Sequence, residues 1–251
     1  EVEVGQPLGD LSVVAVADSV SCNMGDDGSI TAEPSGGTEP YTYQWSTSPA
    51  GTQTLGGLST GTYTVTVLDA NGCQASSSAE IEQPTVLGAF LDNVVNPTCF
   101  GESNGSIEGV PTGGTPPFTF TWSNGQMTDI ITDLPVGFYG LTITDSNGCD
   151  AFASTTLSEP ALLTFSTNVD ADASCEGSMD GQISTATGGG TIPYTYTWSH
   201  DATLDADVAP NLNPGNYTVT VTDDQGCVAT AFAFVASTVI ITDAGTTIDR
   251  L

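Results

Sequence analysis

The chain has 251 residues, with 30 Asp and Glu against one Arg (Arg250), no Lys and one His (His200), for a formal charge of −29. Such a chain has no surface able to neutralise phosphates, so nucleic-acid binding is excluded, and an anionic membrane would repel it. No apolar run approaches the ~18 residues needed to span a bilayer.

In chain order, Glu1–Pro7 reads as the last strand of a truncated upstream repeat. Val-Gly-Gln-Pro at 4–7 matches Ile-Glu-Gln-Pro at 81–84 and Leu-Ser-Glu-Pro at 157–160. A strand A is expected near Val13–Ala17 and a strand B at Ser29–Glu33, with Cys22 in the loop between them. Gly36-Gly37-Thr38 then opens a proline-containing loop into strand C, Tyr41-Thr-Tyr43-Gln-Trp45. Its aromatic residues alternate with polar ones at the period of a half-buried strand. Strand E is expected near Thr54–Leu58, strand F at Tyr63–Leu68 and strand G near Ala75–Ile81. Asn71-Gly72 is a strong hairpin signal between F and G, because both residues tolerate φ > 0. Leu58-x-x-Gly61-x-Tyr63 has the spacing of a tyrosine corner, in which a Tyr hydroxyl bonds back to upstream backbone at a sheet-to-sheet crossing.

The series then returns twice. Trp45, Trp122 and Trp198 are 77 and 76 residues apart. Cys22, Cys99 and Cys175 keep the same intervals, and Cys73, Cys149 and Cys227 nearly so. Tyr63, Tyr139 and Tyr217 recur with them as core positions. Unrelated landmarks that share one period mark a tandem array. The expected repeats are 8–84, 85–160 and 161–238, followed by 239–251 as a divergent tail or the start of another domain. The fold class is all-β: three small immunoglobulin-like or fibronectin-III-like Greek-key sandwiches in tandem.

Modules of this size are marginal on their own, and a disulfide is the obvious reinforcement. Two cysteines fall in each repeat, about 50 residues apart, without a C-x-x-C spacing, so zinc and thioredoxin-like chemistry are not indicated. Six cysteines allow 15 pairings. Pairing within each repeat (Cys22–Cys73, Cys99–Cys149, Cys175–Cys227) is the expectation, since it lets every module fold by itself. Six alternating strands would bring the A–B and F–G loops to one end. A seventh traverse within Ser46–Gln53 would send the two cysteines to opposite ends. Disulfides place the protein in an oxidising compartment: secreted, periplasmic or cell-surface. With no Lys, Lys–Asn isopeptide cross-links are closed to it.

No cofactor is required by the sequence; two acidic clusters recur, and calcium, which prefers oxygen ligands, is the one they suggest. One comprises Asp26, Asp27, Glu102, Asn104, Glu176 and Asp180; the other comprises Asp69, Asn71, Asp145, Asn147, Asp223 and Asp224. The simpler reading is turn chemistry, in which Asp and Asn bond their own backbone. His200 is replaced by Thr47 and Asn124 in the other repeats, so no shared histidine mechanism exists and the chain is read as non-enzymatic. Phe100 and Phe138 break the repeat pattern and are expected at the surface as single residues.

The composite pattern is Cys-x-Gly-x-x-x-Gly-Ser-Ile, Gly-Gly-Thr, Tyr-x-Tyr-x-Trp-Ser, Leu-x-x-Gly-x-Tyr-x-Val-x-Val, Asp-x-Asn-Gly-Cys and a closing Pro. Over residues from about 11 to 238 it resembles the SprB repeat of very large surface adhesins in gliding Bacteroidota. Cys22-Asn-Met-Gly25 and Cys175-Glu-Gly177 depart from the spacing of Cys99-Phe-Gly101. The resemblance implies type IX export, display on the outer cell surface and a part in adhesion or gliding. Asp18-Ser19-Val20 is similar to the O-glycosylation signal of such exported proteins. The reading is a structural stalk whose partners are neighbouring repeats. The alternative is a calcium-dependent or glycan-binding module facing surface glycans or other cells. A third is a self-assembling filament joined through the terminal segments.

Overall fold

The computed structural model describes residues 9–47, 51–237, 241–243 and 246–248. The truncated strand expected at Glu1–Pro7 lies outside them, as does Thr238. The first repeat contributes β1 (Ser12–Asp18), β2 (Gly28–Ser35), β3 (Thr42–Trp45), β4 (Thr54–Leu58), β5 (Gly61–Leu68) and β6 (Gln74–Ile81). The second contributes β7 (Gly88–Val95), β8 (Gly105–Thr112), β9 (Thr119–Trp122), β10 (Ile130–Leu134), β11 (Gly137–Thr144) and β12 (Asp150–Leu157). The third contributes β13 (Thr164–Ala171), β14 (Gly181–Gly188), β15 (Thr195–Trp198), β16 (Val208–Leu212), β17 (Gly215–Thr222) and β18 (Val228–Val235). These are the expected strands A, B, C, E, F and G, three times over. In the tail, β19 (Ile241–Asp243) and β20 (Thr246–Ile248) pair as a short antiparallel hairpin.

Each repeat forms two three-stranded sheets. One has the order A-B-E (β1-β2-β4, β7-β8-β10, β13-β14-β16); the other has the order C-F-G (β3-β5-β6, β9-β11-β12, β15-β17-β18). This is the Greek-key sandwich division of an immunoglobulin-like domain. By contacts the chain divides into two compact units. One comprises Glu1–Asp92, Glu108–Asp129 and Tyr139–Ser154; the other comprises Asn93–Ile107, Ile130–Phe138 and Thr155–Leu251.

Alternation decides what is buried. In the first unit, Ile30 and Ala32 of β2, Trp45 of β3, Leu58 of β4, Val65 and Val67 of β5 and Ile81 of β6 form one core. In the second, Ile183, Trp198, Ala209, Leu212, Tyr217, Val219 and Val235 do the same. The three tryptophans are buried, and each indole still finds an acceptor. Nε1 donates at 2.9 Å to the carbonyls of Thr52, Thr128 and Ala206 respectively. A buried N–H left without such a partner would cost ~1–3 kcal/mol. The tyrosine corner is present as expected at Tyr63, whose hydroxyl donates to Ser59 O at 3.0 Å, and at Tyr217, which donates to Asn213 O at 2.7 Å.

The direction of strand E overturns the expected parity. β4 is antiparallel to β2 and ends at Leu58 beside Gly28, at the A–B end of the sandwich. β3 is antiparallel to β5, which is antiparallel to β6, and β6 also ends there, with Val20 N donating to Glu82 O. Strands C and E therefore run the same way, where six simply alternating strands would run them oppositely. The F–G turn, with Cys73, accordingly lies beside the B–C loop and a full strand from Cys22. Eight residues of strand span roughly 25 Å, whereas a disulfide needs Cα atoms within about 7 Å. Bridging within a repeat is excluded by this geometry.

Candidate functional site

The recurring chemistry of this chain is gathered on the two cysteine-bearing turns of each repeat. In the F–G turn one aspartate does the positioning. Asp69 Oδ1 accepts from the amides of Asn71 (2.9 Å) and Cys73 (2.8 Å), and Oδ2 accepts from Thr38 N (3.0 Å) in the B–C loop. Asp145 repeats this with Asn147 N, Cys149 N and Thr115 N, and Asp223 with Gln225 N, Cys227 N and Thr191 N. These three are the buried charged side chains among the described residues, 7%, 5% and 5% exposed. Burial pushes the carboxyls of Asp69 and Asp145 up. The backbone amides of the following cysteine, the B–C threonine and the turn asparagine outweigh it and leave both below the ordinary carboxylate value.

The Gly-Gly-Thr loops must come close for this clamp to close. Gly36, Gly113 and Gly189 have φ of +71°, +61° and +72°, and a Cβ at each would strike the carbonyl oxygens of Asp10, Val86 and Leu162. Only glycine fits there. Tyr41 and Tyr194 brace the same loop by donating to Gly36 O (2.6 Å) and Gly189 O (2.5 Å); Phe118 has no hydroxyl with which to do so.

In the A–B turn the positioning residue comes six places after the one it holds. Asp27 accepts from Ser21 N at 3.0 Å, Asn104 from Thr98 N at 3.0 Å, and Asp180 from Ser174 N at 2.9 Å. Each held amide immediately precedes a first cysteine. The Ser21 hydroxyl and amide lower the Asp27 carboxyl, and Ser174 and Ser178 pull Asp180 down to about 2.

The bonds themselves correct the expected pairing. Cys22 joins Cys149 and Cys99 joins Cys227, each with Cα atoms 5.7 Å apart. The rule is first cysteine of one repeat to second cysteine of the next. Cys73 and Cys175, expected in bridges, are free and exposed. At the first joint Asn147 Nδ2 donates to Ser21 O at 2.9 Å, and Cys149 Sγ lies 3.5 Å from that same oxygen. At the second, Cys227 Sγ lies 3.4 Å from Thr98 O.

The candidate calcium ligands divide accordingly. Asp27, Asn104, Asp180, Asp69, Asp145 and Asp223 are occupied by backbone amides, while Asn71 and Asn147 donate to Thr38 and Thr115. Glu102 accepts from Asn104, and Asp26, Glu176 and Asp224 are exposed. The two clusters do approach each other, but across a joint between repeats. Among the described residues no group of three or more His, Cys, Asp or Glu is placed to hold a metal ion.

His200 stacks edge-on against Tyr217 (5.2 Å) and Trp198 (6.0 Å) at the surface. Phe100 and Phe138 are exposed as expected. Sequence reasoning missed an outward stripe on β18, where Val228, Phe232 and Phe234 are 66%, 76% and 60% exposed. Their counterparts are Gln74, Ser78 and Glu80, and Asp150, Ser154 and Thr156. The signal was available in that comparison of the G strands.

No curated protein matches the chain. Solved structures similar to it include three N-terminal domains of the bacteriophage RB49 Highly Immunogenic Outer Capsid protein, at 17% identity over 90% of this chain and 95% of that one, TM-score 0.40. Another is the N-terminal eight Ig domains of Down Syndrome Cell Adhesion Molecule, at 11% identity over 92% of this chain and 48% of that one, TM-score 0.32. The chain spans about half the length of that structure. A tetra-tandem repeat in the extending region of a large adhesion protein is similar at 18% identity over 89% of this chain and 73% of that one, TM-score 0.23. The SprB repeat family model matches at residues 14–50, 91–127 and 167–203. Each match holds one first cysteine and one core tryptophan, so the SprB repeat model matches this chain three times in tandem, at the period of those landmarks.

Proposed function

We propose that these repeats are load-bearing spacers of an extracellular surface adhesin, holding a distal binding region away from the cell. The observation that carries this reading is that both disulfides cross from one repeat to the next. A spacer under tension lengthens when a module unfolds. Here the shortest covalent path runs from residue 1 to 22, across to 149, back along the chain to 99, across to 227 and on to 251. That is about 95 residues of backbone, or roughly 340 Å fully extended, against roughly 900 Å for an unbridged chain of this length. The bonds cap extension even if every module melts.

The acidic, lysine-free surface suits the role, since self-repulsion keeps neighbouring arrays apart and soluble. The outer cell surface and the type IX route follow from the family resemblance and belong to this proposal. No helix among the described residues is long and apolar enough to cross a membrane.

Single-molecule stretching tests the reading. Pulled from its ends, the oxidised chain should reach its limit near roughly 340 Å, and the reduced chain near roughly 900 Å. Equal final lengths in the two states would remove the reason for calling the array a tension-bearing spacer.

A glycan-binding reading has one observation in its favour, the β18 stripe of the third repeat, whose exposed aromatic rings offer apolar faces to a sugar. Binding on a glycan array that disappears in a Phe232→Ala, Phe234→Ala double variant would support it.

A further inference from the structure

The G strand of the third repeat turns its large side chains outward. β18 reads Val-Ala-Thr-Ala-Phe-Ala-Phe-Val, with alanine at the inward positions 229, 231 and 233 and with Val228, Phe232 and Phe234 exposed on the other side. The equivalent outward positions hold Gln74, Ser76, Ser78 and Glu80 in the first repeat and Asp150, Phe152, Ser154 and Thr156 in the second. Those counterparts are exposed too, although a further repeat follows each of them, so this face is not one that the next repeat covers. An apolar stripe left in water on one repeat of three calls for an occupant.

Cross-strand partners share a face. Asn216 stands beside Phe234, Thr218 beside Phe232, Thr220 beside Thr230 and Thr222 beside Val228. Thr197 and Thr195 of β15 extend the rows of Thr220 and Thr222. The result is an apolar border along a field of hydroxyls, in which Thr220 and Thr230 bond each other at 3.1 Å. None of these side chains is charged, in a chain of −29, whereas Glu80 and Asp150 stand on the corresponding strands. At its Val228 end the border meets a cleft of about 280 Å³ that Phe100, Leu162 and the Cys99–Cys227 disulfide also line.

Size and charge select the occupant. The border is about 20 Å long and the three strands span about 10 Å between their axes, an area on the order of 200 Å². A stable protein partner needs roughly 800 Å² on each side. A second copy of this chain would also bring its own −29. A single polysaccharide strand is narrow enough. A pyranose with equatorial hydroxyls has ring faces of C–H groups, which lie flat on phenyl rings, and a rim of hydroxyls, which meet threonines that both donate and accept. The negative field of the chain turns away uronate, sulfated and sialylated sugars.

We propose that this face binds a neutral polysaccharide strand, laid along β18 with its pyranose faces on Phe232 and Phe234 and its hydroxyls toward Asn216, Thr218 and Thr220. The inference rests on the glycan-binding reading of the β18 stripe; it adds the class of sugar and confines the site to the third repeat.

Affinity electrophoresis of the full chain tests it, in gels that contain hydroxyethylcellulose or carboxymethylcellulose. The two polymers share a backbone and differ in charge. The neutral one should retard the chain, and the anionic one should not at low salt. A Phe232→Ala, Phe234→Ala double variant should raise the Kd for hydroxyethylcellulose about tenfold or more. Phe152→Ala in the second repeat should leave that Kd unchanged. Both variants should melt where the parent does, because the rings they remove are exposed. Retardation by carboxymethylcellulose alone, lost in the double variant, overturns the neutral-sugar assignment and leaves the glycan reading standing. Retardation by neither polymer overturns both. Retardation that survives the double variant, or that Phe152→Ala weakens equally, overturns the site. Sedimentation of the chain without sugar should show a monomer; a dimer abolished by the double variant would give this face to a second copy and overturn the proposal.

Discussion

Cys22 and Cys149 hold their Cα atoms 5.7 Å apart although 127 residues of chain separate them. Cys99 and Cys227 repeat the relationship across 128. Closing loops of this length removes about 5 kcal/mol of denatured-state entropy per bond in the chain-entropy model. A bond inside a repeat would have reinforced one module. These bonds couple two.

Non-reducing peptide maps should therefore contain Cys22–Cys149 and Cys99–Cys227 peptides, with Cys73 and Cys175 open to alkylation. A Cys22→Ser, Cys149→Ser pair should lower the melting temperature of the first joint's repeats by several degrees, consistent with a loss of up to about 5 kcal/mol. Recovery of a Cys22–Cys73 peptide from native protein would contradict the strand directions described above.

The buried indoles set the largest side-chain effects. Trp122→Ala should cost about 3–5 kcal/mol by cavity formation and by loss of the bond to Thr128 O. Tyr217→Phe removes only the corner hydroxyl's bond to Asn213 O and should cost about 0.5–1.5 kcal/mol. Urea denaturation of the two variants checks the order, and a Tyr217 effect as large as that of Trp122 would be inconsistent with it.

Glycine in the B–C loop is required by both φ and space. Gly113→Ala should destabilise by about 1–3 kcal/mol, because φ is +61° and the new Cβ would meet Val86 O. Gly125, also at positive φ, has no atom within 4 Å of its Cβ position and serves as the control, with a smaller loss. Equal melting temperatures for the two variants would show that the loop relaxes freely.

Acid should loosen the turns. A carboxyl whose pKa is depressed on folding adds stability that is complete above its unfolded value, about 3.9, and is lost as pH falls through the folded value. For Asp180, held at about 2 by Ser174 and Ser178, the loss falls between about pH 4 and 2. Asp180→Asn should keep the bond to Ser174 N, as Asn104 does for Thr98 N, and flatten that part of the melting curve. An unchanged acid slope in the variant would show that Asp180 does not titrate in this window.

Calcium separates the two readings of the acidic clusters. If the carboxylates serve the turns, millimolar calcium added to chelated protein should leave the melting temperature where it was. A rise that follows mass action would restore the ligand reading.

Much of this was legible in the residues alone. Period-2 alternation around Trp45 and Val65, the Asn71-Gly72 turn and the Leu58–Tyr63 corner specify strands and their buried faces, because a residue's neighbours decide which face it can occupy. The threefold period likewise identifies the repeat without any contact being known. What sequence could not reach was the direction of β4 relative to β3. Nothing local distinguishes a loop that turns back at once from one that first crosses the sandwich. Because β4 runs the same way as β3, Cys73 lies at the far end from Cys22. Only the packed sandwich decides which sulfurs can meet, because a disulfide depends on a few ångströms of separation that strand direction, and not spacing along the chain, controls.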